Sequence, residues 1–155
     1  MELADILAER AVLTCTGVKT KRQLFEQLAN KAAELTGRPK SELLDAIEKR
    51  EELGSTGLGN GIAIPHGKVA GLGQVCAVFA KLDEPIEFDA LADLPVDIVM
   101  LLLAPTGSGA DHLKALSRVA RVLRDERVVD ELRRLDECGA MYEVLTARVA
   151  STYAA

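Results

Sequence analysis

Residues 96–103 read Val-Asp-Ile-Val-Met-Leu-Leu-Leu. A run that is apolar almost throughout and this short belongs in the middle of a sheet covered on both faces. Working outward, Val75–Leu82 (VCAVFAKL) and Ile86–Phe88 read as further strands, and Ile62-Ala63-Ile64 is a short β-like run ended by Pro65. Toward the N-terminus, Thr20 opens a helix. Gln23 lies three residues on, as in a capping box, and Leu24, Leu28, Ala32 and Leu35 follow at helical spacing until Gly37 and Pro39 stop it. A second helix should run from about Ser41 to Leu53, with Leu43, Leu44 and Ile47 inward and a charged tail at Lys49-Arg50-Glu51-Glu52. Beyond the central strand, Ser108 or Asp111 can cap a helix bearing Leu113, Leu116, Val119, Ala120 and Leu123. Asp125 opens another through Leu132, and Met141, Val144, Leu145 and Val149 mark a third. Helices at both ends with short strands between them predict an α/β fold: one domain over 1–155, a mixed β-sheet flanked by α-helices.

The totals agree with one ordinary globular domain: 155 residues, 48% hydrophobic and 28% charged. The net charge of −5 and a stock of three Phe, two Tyr and no Trp leave neither basic stripes nor stacking platforms for nucleic acid. Binding to a membrane surface is disfavoured on the same ground. The longest apolar run, Ile98–Ala104, is far too short to span a bilayer, so no membrane insertion is expected. The start, MELADILAER, lacks a positive segment followed by an apolar one, which predicts a cytoplasmic protein without a secretory signal. Cys15, Cys76 and Cys138 are odd in number and scattered, with no CxxC pair, so buried or half-buried reduced thiols are expected.

Between Gly54 and Gly73 lie seven of the twelve glycines. A P-loop would need glycine at position 62, which is Ile, and Ser or Thr after Gly67-Lys68, where Val69 stands. The dinucleotide pattern fails too, because Gly57 and Gly59 are again followed by Ile62. What remains is a short strand delivering His66 to its end, with Pro65 stiffening one side and Gly67 freeing the other. Such a mount holds an imidazole firmly and leaves room for something bulky at the ring. Imidazole is a good nitrogen nucleophile that is substantially neutral near pH 7. A histidine that merely finishes a turn is the alternative. His112, the second histidine of the chain, falls in the first turn of the third predicted helix, where free N–H groups attract a phosphoryl group; it could donate a hydrogen bond to phosphoryl oxygens, or be a solvated first-turn residue with no role. Arg50, at the end of the second helix, could pair two phosphoryl oxygens, or be a surface cation favoured by the helix dipole. Together these residues would be nucleophile, hydrogen-bond donor and charge clamp. His66 and His112 with Asp111 lack short zinc-ligand spacing, and Cys76 reads as packed within a strand, so neither a metal nor any cofactor is expected.

Glu51, six intervening residues, Leu58-Gly59, two more, and Ile62-Ala63-Ile64-Pro65-His66-Gly67 resemble the phosphorylation-site signature of the fructose/mannitol-type IIA domains of the bacterial phosphoenolpyruvate-dependent phosphotransferase system. The likeness covers nearly the whole chain, including Pro85–Ala90, Pro95-Val96-Asp97 and Asp111-His112-Leu113. The stretch Gly54–Gly61 is most similar to the nitrogen-related, regulatory branch. The resemblance implies the IIA type-2 fold and a phosphohistidine at Nε2 of His66. It also implies His112 as second active-site histidine, Arg50 as active-site arginine, and a histidine phosphocarrier protein (HPr-like or of the nitrogen branch) as donor. No IIB, IIC or phosphocarrier domain is attached, so a regulator acting on target proteins is expected ahead of a transport component that passes phosphate to a separate IIB protein. A module that has kept the motif and lost the chemistry is disfavoured by the intact His66, His112 and Arg50.

Overall fold

The structure, a computed structural model, describes residues 1–88 and 95–147. Its centre is strand β6 (Val96–Pro105), fully buried from Ile98 through Ala104. Alternation divides the strand between two layers: Ile98, Met100, Leu102 and Ala104 pack to one side, Val99, Leu101 and Leu103 to the other. β5 (Cys76–Ile86) lies antiparallel to β6, and β1 (Val12–Cys15) lies parallel to β5 at the edge. Across β6, β3 (Ile62–Ala63) pairs with Ile98–Val99 and β4 (His66–Val69) with Leu102–Pro105, both in parallel. Ile64 and Pro65 break what is otherwise one strand; the Pro65 carbonyl still accepts from Leu102 N at 2.9 Å. β2 (Gly57–Gly59) folds back antiparallel on β3 and completes a mixed, six-stranded sheet.

Helices α1 (Lys21–Thr36) and α2 (Lys40–Glu52) cover the Val99–Leu103 face, burying Leu24, Leu28, Ala32, Leu43 and Ile47. Helices α3 (Gly109–Arg124), α4 (Glu126–Arg134) and α5 (Cys138–Thr146) cover the other, burying Ala115, Val119, Leu132, Met141 and Leu145. Each wholly buried leucine among these contributes roughly 1.5–3 kcal/mol. The predicted ends of α1 hold. Thr20 Oγ1 accepts from Gln23 N at 3.1 Å and Gly37 closes the helix at φ +75°, but the Gln23 side chain accepts from Lys19 N at 2.7 Å, one residue before the cap, so the reciprocal half of the expected capping box is not made.

Several expectations need correction. Ile86–Phe88 is not a separate strand: β5 runs through Pro85 with a shifted register, Ile86 pairs Val96, and Glu87 and Phe88 lie outside the ladder. Cys76 opens β5 instead of lying within it. His66 does not follow the end of a strand; it begins β4. β1 and β2, too short to show periodicity, were not anticipated from the sequence. Ser108 occupies the N-cap of α3, but its hydroxyl donates to the Pro105 carbonyl at 2.6 Å and caps no N–H. Asp89, Ala90 and Val149 lie outside the described residues.

Candidate active site

The site is assembled where α2 hands the chain to the glycine-rich loop. Arg50, in the last turn of α2, donates from Nη1 to the Gly54 carbonyl at 3.0 Å and from Nε to His66 Nε2 at 3.2 Å. The next residue, Glu51, turns inward. Its carboxylate accepts from Thr56 N at 3.0 Å and Thr56 Oγ1 at 2.7 Å, and pairs with Lys21 Nζ at 2.7 Å. Lys21 in turn lies 4.4 Å from the centroid of the Phe88 ring and donates to the Phe88 carbonyl at 3.2 Å. Thr56 thereby anchors the loop, and its carbonyl receives Ile64 N at 3.1 Å, two residues before His66.

A second clamp fixes the β2–β3 turn. Arg133 holds Asp97 with two bonds, Nε to Oδ2 at 3.2 Å and Nη2 to Oδ1 at 2.9 Å, and reaches the Asn60 carbonyl at 2.6 Å. Gly61 is wedged beneath it at φ +81°, where a Cβ would stand 2.8 Å from Asp97 Oδ1. Gly67 is needed for a different reason: its backbone touches α2, and a Cβ there would lie 3.1 Å from the Ala46 carbonyl oxygen.

His66 is half-buried, with Nδ1 at 2.9 Å from the Ile64 carbonyl. A carbonyl can only accept, so Nδ1 carries the proton of the neutral ring and Nε2 carries the lone pair that Arg50 meets. Burial lowers the His66 pKa and the Arg50 charge adds to that, while the Ile64 carbonyl and Glu51 oppose it; the net direction is down. His112 packs alongside, its ring centroid 5.4 Å from that of His66 and the planes tilted by 51°. It is 8% exposed, and its buried Nδ1 has no hydrogen-bond partner among the described residues. A proton on Nδ1 would be an orphaned donor, so the neutral ring carries its proton on Nε2. Burial, then His66, then Lys68 depress its pKa.

The three predicted residues, His66, His112 and Arg50, therefore meet around one imidazole. Sequence reading did not assign roles to Glu51, Thr56 and Lys21, which hold the loop, or to Lys68. Strand alternation from His66 would have placed Lys68 on the same side of β4; nothing local marks Lys21. No group of three His, Cys, Asp or Glu side chains is arranged for a metal among the described residues. Burial pushes the Cys76 thiol up to about 11, opposite to what a nucleophile needs. Among the described residues no helix is long and apolar enough to cross a membrane.

With this geometry, residues 5–147 match the family model of the phosphoenolpyruvate-dependent sugar phosphotransferase system, EIIA 2. The chain belongs to that family. This EIIA chain is thus a component of a phosphoryl-transfer system, and within the family it is of the nitrogen-regulatory kind. It is 47% identical over 145 residues to a nitrogen regulatory protein of Bradyrhizobium diazoefficiens, covering 94% of this chain and 95% of the relative. The crystal structure of nitrogen regulatory protein IIA-Ntr from Neisseria meningitidis superposes with TM-score 0.87 at 30% identity, covering 93% of this chain and 99% of that one. Enzyme IIA-mannitol of Escherichia coli, solved in complex with phosphorylated enzyme IIB-mannitol, shares the fold: TM-score 0.76, 23% identity, 91% of this chain and 96% of that one.

Proposed function

We propose that this EIIA domain, taken as residues 1–155, accepts a phosphoryl group on Nε2 of His66 from a histidine phosphocarrier protein. The phosphorylation state then governs which regulatory targets it binds in the cytoplasm. One observation carries the reading: His66 Nδ1 is tied to the Ile64 carbonyl at 2.9 Å while Nε2 meets the Arg50 guanidinium at 3.2 Å. That leaves one nitrogen free to attack and a cation at hand where charge gathers.

In the transfer, Arg50 moves off the lone pair and onto phosphoryl oxygens. The Nε2–P bond forms as the bond from phosphorus to the donor's histidine nitrogen breaks, and that electron pair returns to the donor ring. The Nδ1 proton stays in place, so the Ile64 carbonyl stabilises the positive ring that results. The Nε2–H of His112 can donate to an equatorial oxygen, and Lys68 adds charge nearby. The attached group carries about −1.5 to −2 charges and three strong acceptors, enough to change what docks on this surface.

A reconstituted chain of phosphoenolpyruvate, enzyme I and the carrier protein of each branch tests this. His66→Ala is expected to abolish acid-labile labelling, and NMR of labelled wild type to place phosphorus on Nε2. Undiminished labelling of the variant would refute the assignment. A second reading, a IIA component serving a separate IIB protein, is favoured by the fold shared with IIA-mannitol bound to phosphorylated IIB-mannitol. Transfer from the labelled domain to a purified IIB protein separates the two.

A further inference from the structure

Arg50 and Glu51 are consecutive in the last turns of α2, yet they address opposite nitrogens of one imidazole. Arg50 meets the ring directly, Nε to His66 Nε2 at 3.2 Å. Glu51 forms no bond to the ring; a line of hydrogen bonds runs from it to the other nitrogen. Its carboxylate takes both donors of Thr56, N to Oε2 at 3.0 Å and Oγ1 to Oε1 at 2.7 Å. The Thr56 carbonyl takes Ile64 N at 3.1 Å, and the Ile64 carbonyl lies 2.9 Å from His66 Nδ1.

This line is built to hold still. The Glu51 side chain is 7% exposed, and Lys21 Nζ, itself tied to the Phe88 carbonyl at 3.2 Å, meets Oε2 at 2.7 Å. A carboxylate taken this far out of water is stable only with its charge paired and its lone pairs filled, and here three donors fill them. Thr56 is buried too, and it precedes β2, which begins at Gly57, so its N–H and hydroxyl rest on Glu51 and not on a ladder. Beyond Ile64, the Pro65 carbonyl is held by Leu102 N at 2.9 Å. The Ile64 carbonyl therefore projects from a linkage pinned before it by Thr56 and after it by β6.

That carbonyl decides which nitrogen keeps the lone pair. With the proton on Nε2, the Nδ1 lone pair would face a carbonyl oxygen and the Nε2–H would face the Arg50 N–H, two repulsions in place of two bonds. Freeing the Ile64 carbonyl removes the first repulsion and admits the other tautomer, whose Nε2 has no lone pair with which to attack. We propose that Glu51 is a positioning residue for phosphoryl transfer: through Thr56 and Ile64 it keeps the His66 proton on Nδ1 and Nε2 free as the nucleophile. Its part in transfer rests on the phosphocarrier reading above. Because Glu51 is buried and acts only through the ring, its loss should fall on kcat and leave the KM for the donor nearly unchanged.

The test is Glu51→Met, which keeps the length of the side chain and removes its acceptors, read by nitrogen NMR of the His66 ring and by transfer from the same organism's phosphorylated histidine phosphocarrier protein. At a pH of about 8, where the ring is neutral, wild type should show a protonated Nδ1 and a bare Nε2. In the variant the two signals should move toward each other as the tautomers mix. Its kcat should fall at least about tenfold with KM within about twofold. Glu51→Gln should restore the wild-type tautomer and most of the rate, because its amide oxygen accepts from Thr56 N while its N–H donates to the Thr56 hydroxyl. A wild-type tautomer in folded Glu51→Met overturns the proposal, and so does a loss of kcat with the tautomer unchanged, or a loss carried by KM. Should Glu51→Met fail to fold, Thr56→Val, which deletes one bond of the line and keeps its volume, decides: a partial tautomer shift with a severalfold fall in kcat upholds the proposal, and wild-type values overturn it. The ring signals need no donor. If the carrier labels no protein, wild type included, while the tautomer shifts as stated, the phosphocarrier reading falls and the positioning of His66 by Glu51 stands.

Discussion

Replacing Gly67 by alanine tests whether the close approach of β4 to α2 sets the active-site geometry. The added methyl would lie 3.1 Å from the Ala46 carbonyl oxygen, 3.2 Å from its carbonyl carbon and 3.3 Å from its Cβ, against 3.4–4 Å for ordinary contact. The obstruction is mid-helix backbone, held by Leu43 at 0% and Ile47 at 1% exposure, so it cannot swing away as a side chain would. Strand and helix must part by a few tenths of an ångström. Overpacking of this kind costs about 1–3 kcal/mol, and the loss of glycine's freedom in the unfolded chain returns about 0.5–1 kcal/mol. The net is a loss centred on about 1 kcal/mol and at most about 2.5 kcal/mol, or a fall in melting midpoint of up to about 10 °C at this chain length.

The displacement also reaches the chemistry. Arg50 stands one helical turn beyond Ala46, and its Nε is 3.2 Å from His66 Nε2. Since a 1 Å misplacement can cost about 10²-fold, a shift of a few tenths should slow phosphoryl transfer roughly two- to tenfold. Thermal melts and rapid-quench transfer, run where both proteins are folded, give the two numbers. Adding Ala46→Gly should not rescue either, because it removes the 3.3 Å contact and leaves the 3.1 and 3.2 Å contacts with the backbone. Wild-type stability and rate in Gly67→Ala, or full rescue by the second change, would refute the reasoning.

Arg50→Lys should slow transfer markedly with little change in melting midpoint, since an ammonium cannot reproduce a guanidinium's paired contact; an early melt would make Arg50 structural. His112→Ala should lower the transfer rate by about 10²–10³-fold and His112→Gln by less, because the amide keeps an N–H donor; equal rates for wild type and both variants would make His112 a bystander. Attack requires neutral His66, whose pKa is lowered by burial and Arg50. The rate should therefore hold steady as pH falls through the ordinary histidine value of about 6.5 and drop only below it. Both histidines have lowered folded pKa values, so the unfolded chain binds protons first. Stability should be complete above about pH 6.5 and decline as pH falls from there, a slope that denaturant titrations of the His66→Ala, His112→Ala double variant should lack.

What could be read in advance followed how local its cause was. The apolar run after Val96 demanded two covering layers, and the Thr20 and Gly37 caps are short-range devices, so the three-layer frame and the ends of α1 were legible. Glu51 was visible as part of a spaced motif, but its partners are Thr56, five residues on, and Lys21, thirty residues back in another helix. No local pattern encodes that pairing. Pro85 looks like a strand end because it cannot donate to a ladder; only the shifted pairing of Ile86 with Val96 carries β5 past it. For the same reason Pro65 makes His66 look as though it stands past a strand, although β6 offers a second stretch of edge, Leu102–Pro105, on which the chain resumes.

That resumption explains how helices from opposite layers reach one imidazole. His66 is level with Leu102, which packs toward α3, and Gly67 with Leu103, which packs toward α2. Neighbouring residues of β4 thus address the two helical layers in turn, the imidazole facing His112 and the bare glycine admitting the backbone of Ala46. Among the described residues β4 pairs with β6 alone, so its outer edge is open. Arg50 comes past that edge from the α2 layer to touch the same ring that His112 approaches from the α3 layer. In an interior strand the sheet itself would stand between them. An edge strand, one side-chain-free position and two helix termini are what this geometry requires. The Pro65-His66-Gly67 sequence supplies the break that opens the second segment, the nucleophile, and the position without a side chain.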